Sequence, residues 1–340
     1  MTLGENIAKW RTAKSLSREE LADTLSVSAE TVTFWETGLA APTIEHLIRL
    51  KEILGVQIDD LLCATETGSA INKDSLDTVC AALAYAMGIE APRFAARRND
   101  ALASYVDEVF GGERADRVVM YNPDAIAQWV YQTYPEYLAQ TKQYTDKEIY
   151  LSTVMPSVTP VCFGTMYTGA QPDVHGIRKY EKPVITIDTI FDRLIAAGKR
   201  VALITYGGCS LGRIYLTRNM DYYHFDKGGI EAVNAKAMEV ILRDEHDFIV
   251  IYNGNYDKIM HKSGPESASA LAELRINDHV FGMISNLIKT HWGHHNTLVG
   301  FAMDHGCHEI DGGCGSHGLD MPEDLNIVHF YKGYARTVKE

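Results

Sequence analysis

Between residues 117 and 331, short runs rich in β-branched and aromatic residues alternate with longer stretches whose apolar residues recur at helical spacing. The runs are 117–121, 149–154, 201–206, 248–252, 297–302 and 327–331, and helical stretches such as 189–197, 230–243 and 268–290 separate many of them. Strands joined by helices in this order predict an α/β fold, a mostly parallel sheet with helices on both faces. In such sheets chemistry gathers at the carboxyl ends of the strands. Asp124 follows the first run, Thr159 the second, Asp257 the fourth and Asp304 the fifth.

The polar residues at these strand ends include metal-binding types. Asp304-His305-Gly306, the later Gly315-Ser316-His317-Gly318 and the upstream Asp257-x-x-x-His261 supply carboxylates and imidazoles. That mixture suits Zn²⁺, with Mn²⁺ as the alternative. Two such ions side by side can hold the attacking and leaving oxygens of a phosphoryl group. Asp257 and His261, four residues apart, share one face if a helix runs through them. His308, Glu309 and Asp311 read either as groups that orient the imidazoles or as solvated loop residues. His291, His294 and His295 precede a strand, on the side away from the site, and read as a solvated turn. Cys307 and Cys314 lie near the histidines, but buried thiols are the plainer reading. The six scattered cysteines follow no secreted framework.

Residues 1–63 are a different kind of sequence. Ser17 with Glu20 forms a capping box ahead of Leu21-Ala22-x-x-Leu25. Ser26-Val27-Ser28 makes a short turn, and Ser28 can cap a second helix at 29–36 carrying Val32 and Trp35. Two short helices joined this way, within a bundle of five, are helix-turn-helix organisation. With Trp35-Glu36-x-Gly38, Pro42, Leu47 and Leu54-Gly55-Val56, the stretch resembles the Cro/repressor-type helix-turn-helix family. The resemblance implies that helix 29–36 reads DNA, with Arg18, Ser28, Glu30, Thr31 and Thr33 as candidate contacts. Charge argues the other way. Residues 1–62 carry six basic against ten acidic side chains, with no Lys or Arg between Arg18 and Arg49. Phosphate contacts need cations, so DNA binding competes with a dimerisation or protein-interaction role, and a homodimer is expected. Residues 64–74 read as a linker, and 75–114 as helices packed on a catalytic domain spanning 115–340.

The catalytic region also carries a resemblance. Met155-Pro-Ser-Val-Thr159-Pro, Tyr167-Thr-Gly169, Pro172-Asp-Val-His175-Gly-Ile177, Asp257-x-x-x-His261-x-x-Gly264-Pro265, Asp304-His305-Gly306 and His317 occur in order. Together they resemble the alkaline-phosphatase superfamily, nearest its nucleotide pyrophosphatase/phosphodiesterase branch. The resemblance implies a metal-dependent phosphoesterase acting on a phosphorylated small molecule or nucleotide. It implies one metal on Asp257, His261 and His317 and a second on Asp124, Asp304 and His305, with Thr159 as the bridging nucleophile. Ser157 is the alternative nucleophile. Asn122-Pro-Asp124-Ala125 departs from the usual Asp-Gly pattern, and an N-cap for a helix at 125–130 is the competing role for Asp124. Cys162 is a weak donor, which leaves backbone N–H groups, Arg213 or Arg218 to meet phosphoryl oxygens. His175 reads as a structural turn histidine. Two other functions stay open: a transcriptional regulator whose enzyme-like domain senses a phosphorylated ligand, and a phosphomutase.

A net charge of −13 argues against broad attraction to nucleic acid or to an anionic membrane. No apolar run is long enough to cross a bilayer and no leader pattern opens the chain, so a cytoplasmic protein is expected.

Overall fold

The computed structural model describes residues 3–56, 58, 61, 70–225 and 227–337. It forms two compact units, Met1–Ala70 and Ile71–Glu340.

The first unit contains helices α1 (Leu3–Ala13), α2 (Arg18–Leu25), α3 (Ala29–Glu36) and α4 (Ile44–Leu54). The expected fifth helix of the bundle falls largely outside the described residues. The caps act as the sequence predicts. Ser17 Oγ accepts the Glu20 N–H at 3.1 Å, and Glu20 Oε2 accepts the Ser17 N–H at 2.7 Å. Ser28 caps α3, and Gly55 closes α4 at φ 68°. Ile7, Leu21, Leu25, Val32, Trp35, Leu50 and Leu54 form the core.

The second unit is built on an eight-stranded sheet. Its strands are β1 (Asp74–Ser75), β2 (Arg117–Pro123), β3 (Lys147–Ser152), β4 (Val201–Tyr206), β5 (Asp221–Phe225), β6 (Phe248–Asn253), β7 (Thr297–Ala302) and β10 (Asn326–Tyr334). The order is β1-β3-β10-β7-β2-β6-β4-β5. Only β10 runs against its two neighbours; every other pairing is parallel. β2, β6 and β7 are buried along nearly their whole length, as strands covered on both faces must be. A separate hairpin, β8 (His308–Ile310) with β9 (Cys314–Ser316), stands off the sheet after β7.

Three expectations change here. Of the stretch read as linker, 64–69 lies outside the described residues, whereas Asn72 and Asp74 are built into the sheet edge. Asn72 Nδ2 donates to Gln128 Oε1 at 2.7 Å and to Leu151 O at 2.9 Å. Its small polar composition hid a bridging role. Second, β5 adds a strand that no apolar run marks; it is an edge strand whose residues are exposed or half-buried, none of them fully buried. Third, the helix after β2 is α5 (Gln128–Thr133), starting at Gln128 rather than Ala125, so Asp124 caps nothing.

Candidate metal centre

β2, β6 and β7 are consecutive neighbours in the sheet, so the segments leaving their carboxyl ends converge. Asp124 ends the β2 turn. Asp304 and His305 leave β7, and α7 (Asn255–Ser263), which begins just past β6, carries Asp257 and His261 on one face. The hairpin returns His317 to the same place. Thr159 opens α6 (Thr159–Thr168), reached through the 153–158 loop.

The six expected ligands fall into two trios, Asp257/His261/His317 and Asp124/Asp304/His305. The trios adjoin, with the His305 and His317 rings 4.1 Å apart between centroids. The second is fully buried; the first opens toward solvent at His261.

Each imidazole is held the same way. Nδ1 of His305 is 2.9 Å from Gly306 O, Nδ1 of His261 is 2.9 Å from Gly315 O, and Nδ1 of His317 is 2.9 Å from Ser157 O. A carbonyl only accepts, so each Nδ1 carries the proton and each Nε2 offers its lone pair to the site, as metal-binding histidines are oriented. Those lone pairs face other acceptors. His261 Nε2 lies 3.1 Å from His317 Nε2, and the two lie 3.2 and 3.3 Å from Asp257 Oδ1. His305 Nε2 lies 3.3 Å from Asp124 Oδ1 and 3.4 Å from Asp304 Oδ2. These carboxylate oxygens (Asp124 Oδ1, Asp257 Oδ1 and Asp304 Oδ2) are buried without a hydrogen-bond donor. Lone pairs facing lone pairs repel unless a proton or a metal ion sits between them. Ligands about 2.0–2.1 Å from a tetrahedral zinc stand roughly 3.4 Å from one another, close to these separations, so the residues present fit two divalent ions.

The field points the same way. Burial alone would lower the His305 pKa, yet the charges of Asp304 and Asp124 push it up to about 10. The nearby Asp257 carboxylate raises His261. Burial pushes Asp257 up, but the adjoining His261 and His317 hold it below the usual carboxylate range. Burial and the neighbouring Asp124 push Asp304 well above it.

The backbone is shaped around these atoms. Ala125 stands in the left-handed region at φ 62°, where an alanine is strained and a glycine is not. There its N–H reaches Asp304 Oδ1 at 3.2 Å, which leaves Oδ2 for the site. Thr153 Oγ1 donates to Asp304 O at 2.6 Å. Gly306 and Gly315 are close approaches: an added Cβ would fall 2.0 Å from Glu323 O and 2.2 Å from Met260 Sδ. Thr159 Oγ1 sits 3.4 Å from both Asp124 Oδ2 and His305 Nε2, whereas the buried Ser157 hydroxyl has no partner.

Other expected residues fall elsewhere. Arg218 is 8 % exposed and committed: Nε to Asp192 at 3.0 Å and Nη2 to Ile185 O at 3.0 Å, so it is not free to meet a phosphoryl group. Arg213 is exposed beside Gly208 and His224. His175 is a buried turn histidine 3.1 Å from Thr165 Oγ1. His308 pairs with the buried Asp324 at 2.7 Å, while Glu309 and Asp311 are exposed. Cys307 is buried, and Cys314 Sγ lies 3.6 Å from Lys262 O. His294 and His295 both contact Asp244, where Arg117 Nε at 3.2 Å already supplies a cation. Sequence reasoning missed Asp324, whose carboxylate also takes the Leu319 N–H at 2.8 Å and so ties down the segment after His317. It missed Tyr252 too, although a tyrosine near the end of β6 obeys the same strand-end rule that found Asp124.

In the first unit, Glu36 is buried. Its carboxylate takes Arg11 Nε at 2.6 Å and Arg18 Nε at 2.7 Å, so the two cations nearest α3 are engaged inside the module. Burial raises the Glu36 pKa, but the two arginines win and hold it below the usual range. Ser28 and Glu30 are exposed, whereas Thr31 and Thr33 are half-buried.

The description of the type I phosphodiesterase / nucleotide pyrophosphatase family matches residues 138–326, and the helix-turn-helix description matches 7–61. Two curated relatives align with the front of the chain. The HTH-type transcriptional activator BcrR of Enterococcus faecalis is 36% identical over 66 residues, 19% of this chain and 32% of its own length. The SPbeta prophage-derived uncharacterized HTH-type transcriptional regulator YonR of Bacillus subtilis (strain 168) is 39% identical over 62 residues, 18% of this chain and 57% of its own. The chain thus spans between about a third and three fifths of these relatives. Human ectonucleotide pyrophosphatase / phosphodiesterase 5 superposes with a TM-score of 0.47 at 17% identity, over 57% of this chain and 58% of that one. Among the described residues, no helix is long and apolar enough to cross a membrane.

Proposed function

The chain belongs to the type I phosphodiesterase / nucleotide pyrophosphatase family, and we propose that it is a metal-dependent phosphoric ester hydrolase with Thr159 as nucleophile. The observation that carries this is the common posture of His261, His305 and His317, each Nδ1 fixed on a backbone carbonyl and each Nε2 turned onto unpartnered carboxylate oxygens.

Asp257, His261 and His317 would hold one ion and Asp124, Asp304 and His305 the other, Zn²⁺ by donor type with Mn²⁺ as the alternative. Bound there, the ions would supply Lewis-acid charge to the nucleophile and the phosphoryl oxygens. The chain's own residues do the rest. Thr159 Oγ1 attacks phosphorus as the P–O bond to the ester oxygen breaks, and its proton goes out with that oxygen as the alcohol, giving a phosphothreonine. Water then attacks that phosphorus, its oxygen staying on the released phosphate and one proton returning to Oγ1 as the Thr–O–P bond breaks. Thr159 sits at the N-terminus of a ten-residue helix, whose dipole favours an anion there. Asp124 Oδ2 and His305 Nε2 fix the hydroxyl between them. The substrate class this site suits is a phosphorylated small molecule or nucleotide.

The front module acts on DNA or pairs two copies of the chain. The engaged state of Arg11 and Arg18 favours pairing, or binding that relies on few phosphate contacts. The test of the catalytic reading is a pair of variants. Thr159→Ala should lose turnover and keep its ions, while His317→Ala should lose an ion as well. Turnover retained in Thr159→Ala would remove the nucleophile.

A further inference from the structure

Asp124 has two oxygens with different surroundings, and something outside the trio decides which is which. Oδ1 has no hydrogen-bond donor and faces His305 Nε2 at 3.3 Å. Oδ2 accepts the hydroxyl of Tyr252, with Thr159 Oγ1 a more distant 3.4 Å away. Tyr252 is 3 % exposed. It stands opposite Asn122 in the β2–β6 pairing, two residues before Asp124, so sheet register delivers its ring to the acid.

Tyr252 is itself held from behind. β4 and β6 are parallel neighbours, and Tyr206 and Tyr252 rise side by side from their carboxyl ends with ring centroids 5.4 Å apart. Their hydroxyls both lie over Gly254. A Cβ at Gly254 would lie 2.5 Å from Tyr206 Oη and 2.7 Å from Tyr252 Oη, so any side chain there would drive the pair apart. Phe163 closes the remaining side, edge-on to Tyr252 at 5.6 Å. The result is a file of contacts running from half-buried Tyr206 through Tyr252 to Asp124 and Thr159.

We propose that Tyr252 is a positioning residue that presents Oδ1 of Asp124 to a metal ion and reserves Oδ2 for Thr159, and that Gly254 is small so that Tyr206 can keep Tyr252 in place. This rests on the reading of Asp124 as a ligand. The physics is that of a carboxylate with one hydrogen-bonded oxygen. Without the Tyr252 donor, Oδ2 would be a buried acceptor with only a 3.4 Å contact, and the carboxylate would be free to rotate. Partners of this kind typically change metal affinity about 10–100-fold when removed.

The test is a Mn²⁺ titration of the full chain, counting bound ions by the loss of the free-ion electron paramagnetic resonance signal. Wild type should bind two ions. Tyr252→Phe should bind one at wild-type affinity and the other about 10–100-fold more weakly, the unaffected ion serving as the control for folding. Gly254→Ala, which keeps the tyrosine and displaces its hydroxyl, should weaken the same single ion, and Tyr206→Phe should do so to a lesser degree. Two ions at wild-type affinity in both Tyr252→Phe and Gly254→Ala would overturn the positioning role and leave the two-metal reading standing. Fewer than two in wild type would overturn that reading and this inference together.

Discussion

Gly315→Ala is the sharpest small perturbation the site offers. Gly315 lies on β9, two residues before His317, and its carbonyl accepts the Nδ1–H of His261 at 2.9 Å. A Cβ there would fall 2.2 Å from Met260 Sδ and 2.9 Å from Met260 O, and Met260 is fully buried. Ordinary contact is about 3.5–4.0 Å, so hairpin and helix must separate by more than ~1 Å. Overpacking of this kind costs about 1–3 kcal/mol of stability. The site should suffer more than the fold. Moving β9 draws the carbonyl from His261 and carries His317 with it, and a misplacement of ~1 Å can cost about 100-fold in rate. The expected result is a folded protein with kcat/KM down about 100-fold against bis-p-nitrophenyl phosphate. One ion should be weakened, that of Asp257, His261 and His317, with the ion of Asp124, Asp304 and His305 unaffected. Gly312→Ala is the comparison: φ is 88° and a Cβ there meets nothing within 4 Å, so it should lose about 1 kcal/mol to backbone strain and leave the site intact. Wild-type turnover and metal affinity in Gly315→Ala would refute the claim that this hairpin sets the geometry.

Glu36→Gln should trade stability for charge. Arg11, 13 % exposed at its side chain, loses its partner, and breaking such a pair costs about 3 kcal/mol. Melting followed by the buried Trp35 should fall, while salt-sensitive, non-specific DNA retention rises as Arg11 and Arg18 are released. His329 and His175 predict an acid limb. Burial pulls each imidazole down to about 4. The unfolded chain therefore binds more protons between about pH 4 and 6.5, and stability should rise with pH across that window and level off above it. Urea midpoints at pH 5 and pH 7 check this, and His329→Gln should flatten the limb by up to roughly 3 kcal/mol at its acid end. Asp324→Asn should weaken both ions modestly, because one carboxylate ties His308 and the Leu319 N–H across the hairpin; a metal titration reads it.

The layered architecture was legible because buried parallel strands are written as unbroken apolar runs. The runs at 201–206 and 297–302 coincide with β4 and β7. The two acids and the histidines that lie on local motifs, Asp257-x-x-x-His261 and Asp304-His305, were legible for a similar reason: one helix face or one turn presents them. What sequence left open was settled by contacts distant in the chain. Whether Asp124 caps a helix depended on where α5 begins, and Ala125 in a left-handed turn moved that start to Gln128. Arg218 was a plausible phosphate contact until Asp192 and Ile185 O claimed it. Tyr252, Gly254, Gly315 and Asp324 act through partners distant in the chain or through excluded volume, and neither leaves a local pattern. The short strand β1 and the anchoring of Asn72 were hidden by a polar composition that normally marks a linker.

The most direct measurement is the metal content of the purified protein by elemental analysis, taken together with hydrolysis of bis-p-nitrophenyl phosphate and p-nitrophenyl phosphate. The two-metal site should hold close to two zinc or manganese ions per chain and turn over at least one ester, an activity lost on chelation and restored by adding the metal. A protein that binds no zinc or manganese and hydrolyses neither ester when supplied with both would contradict the two-metal reading.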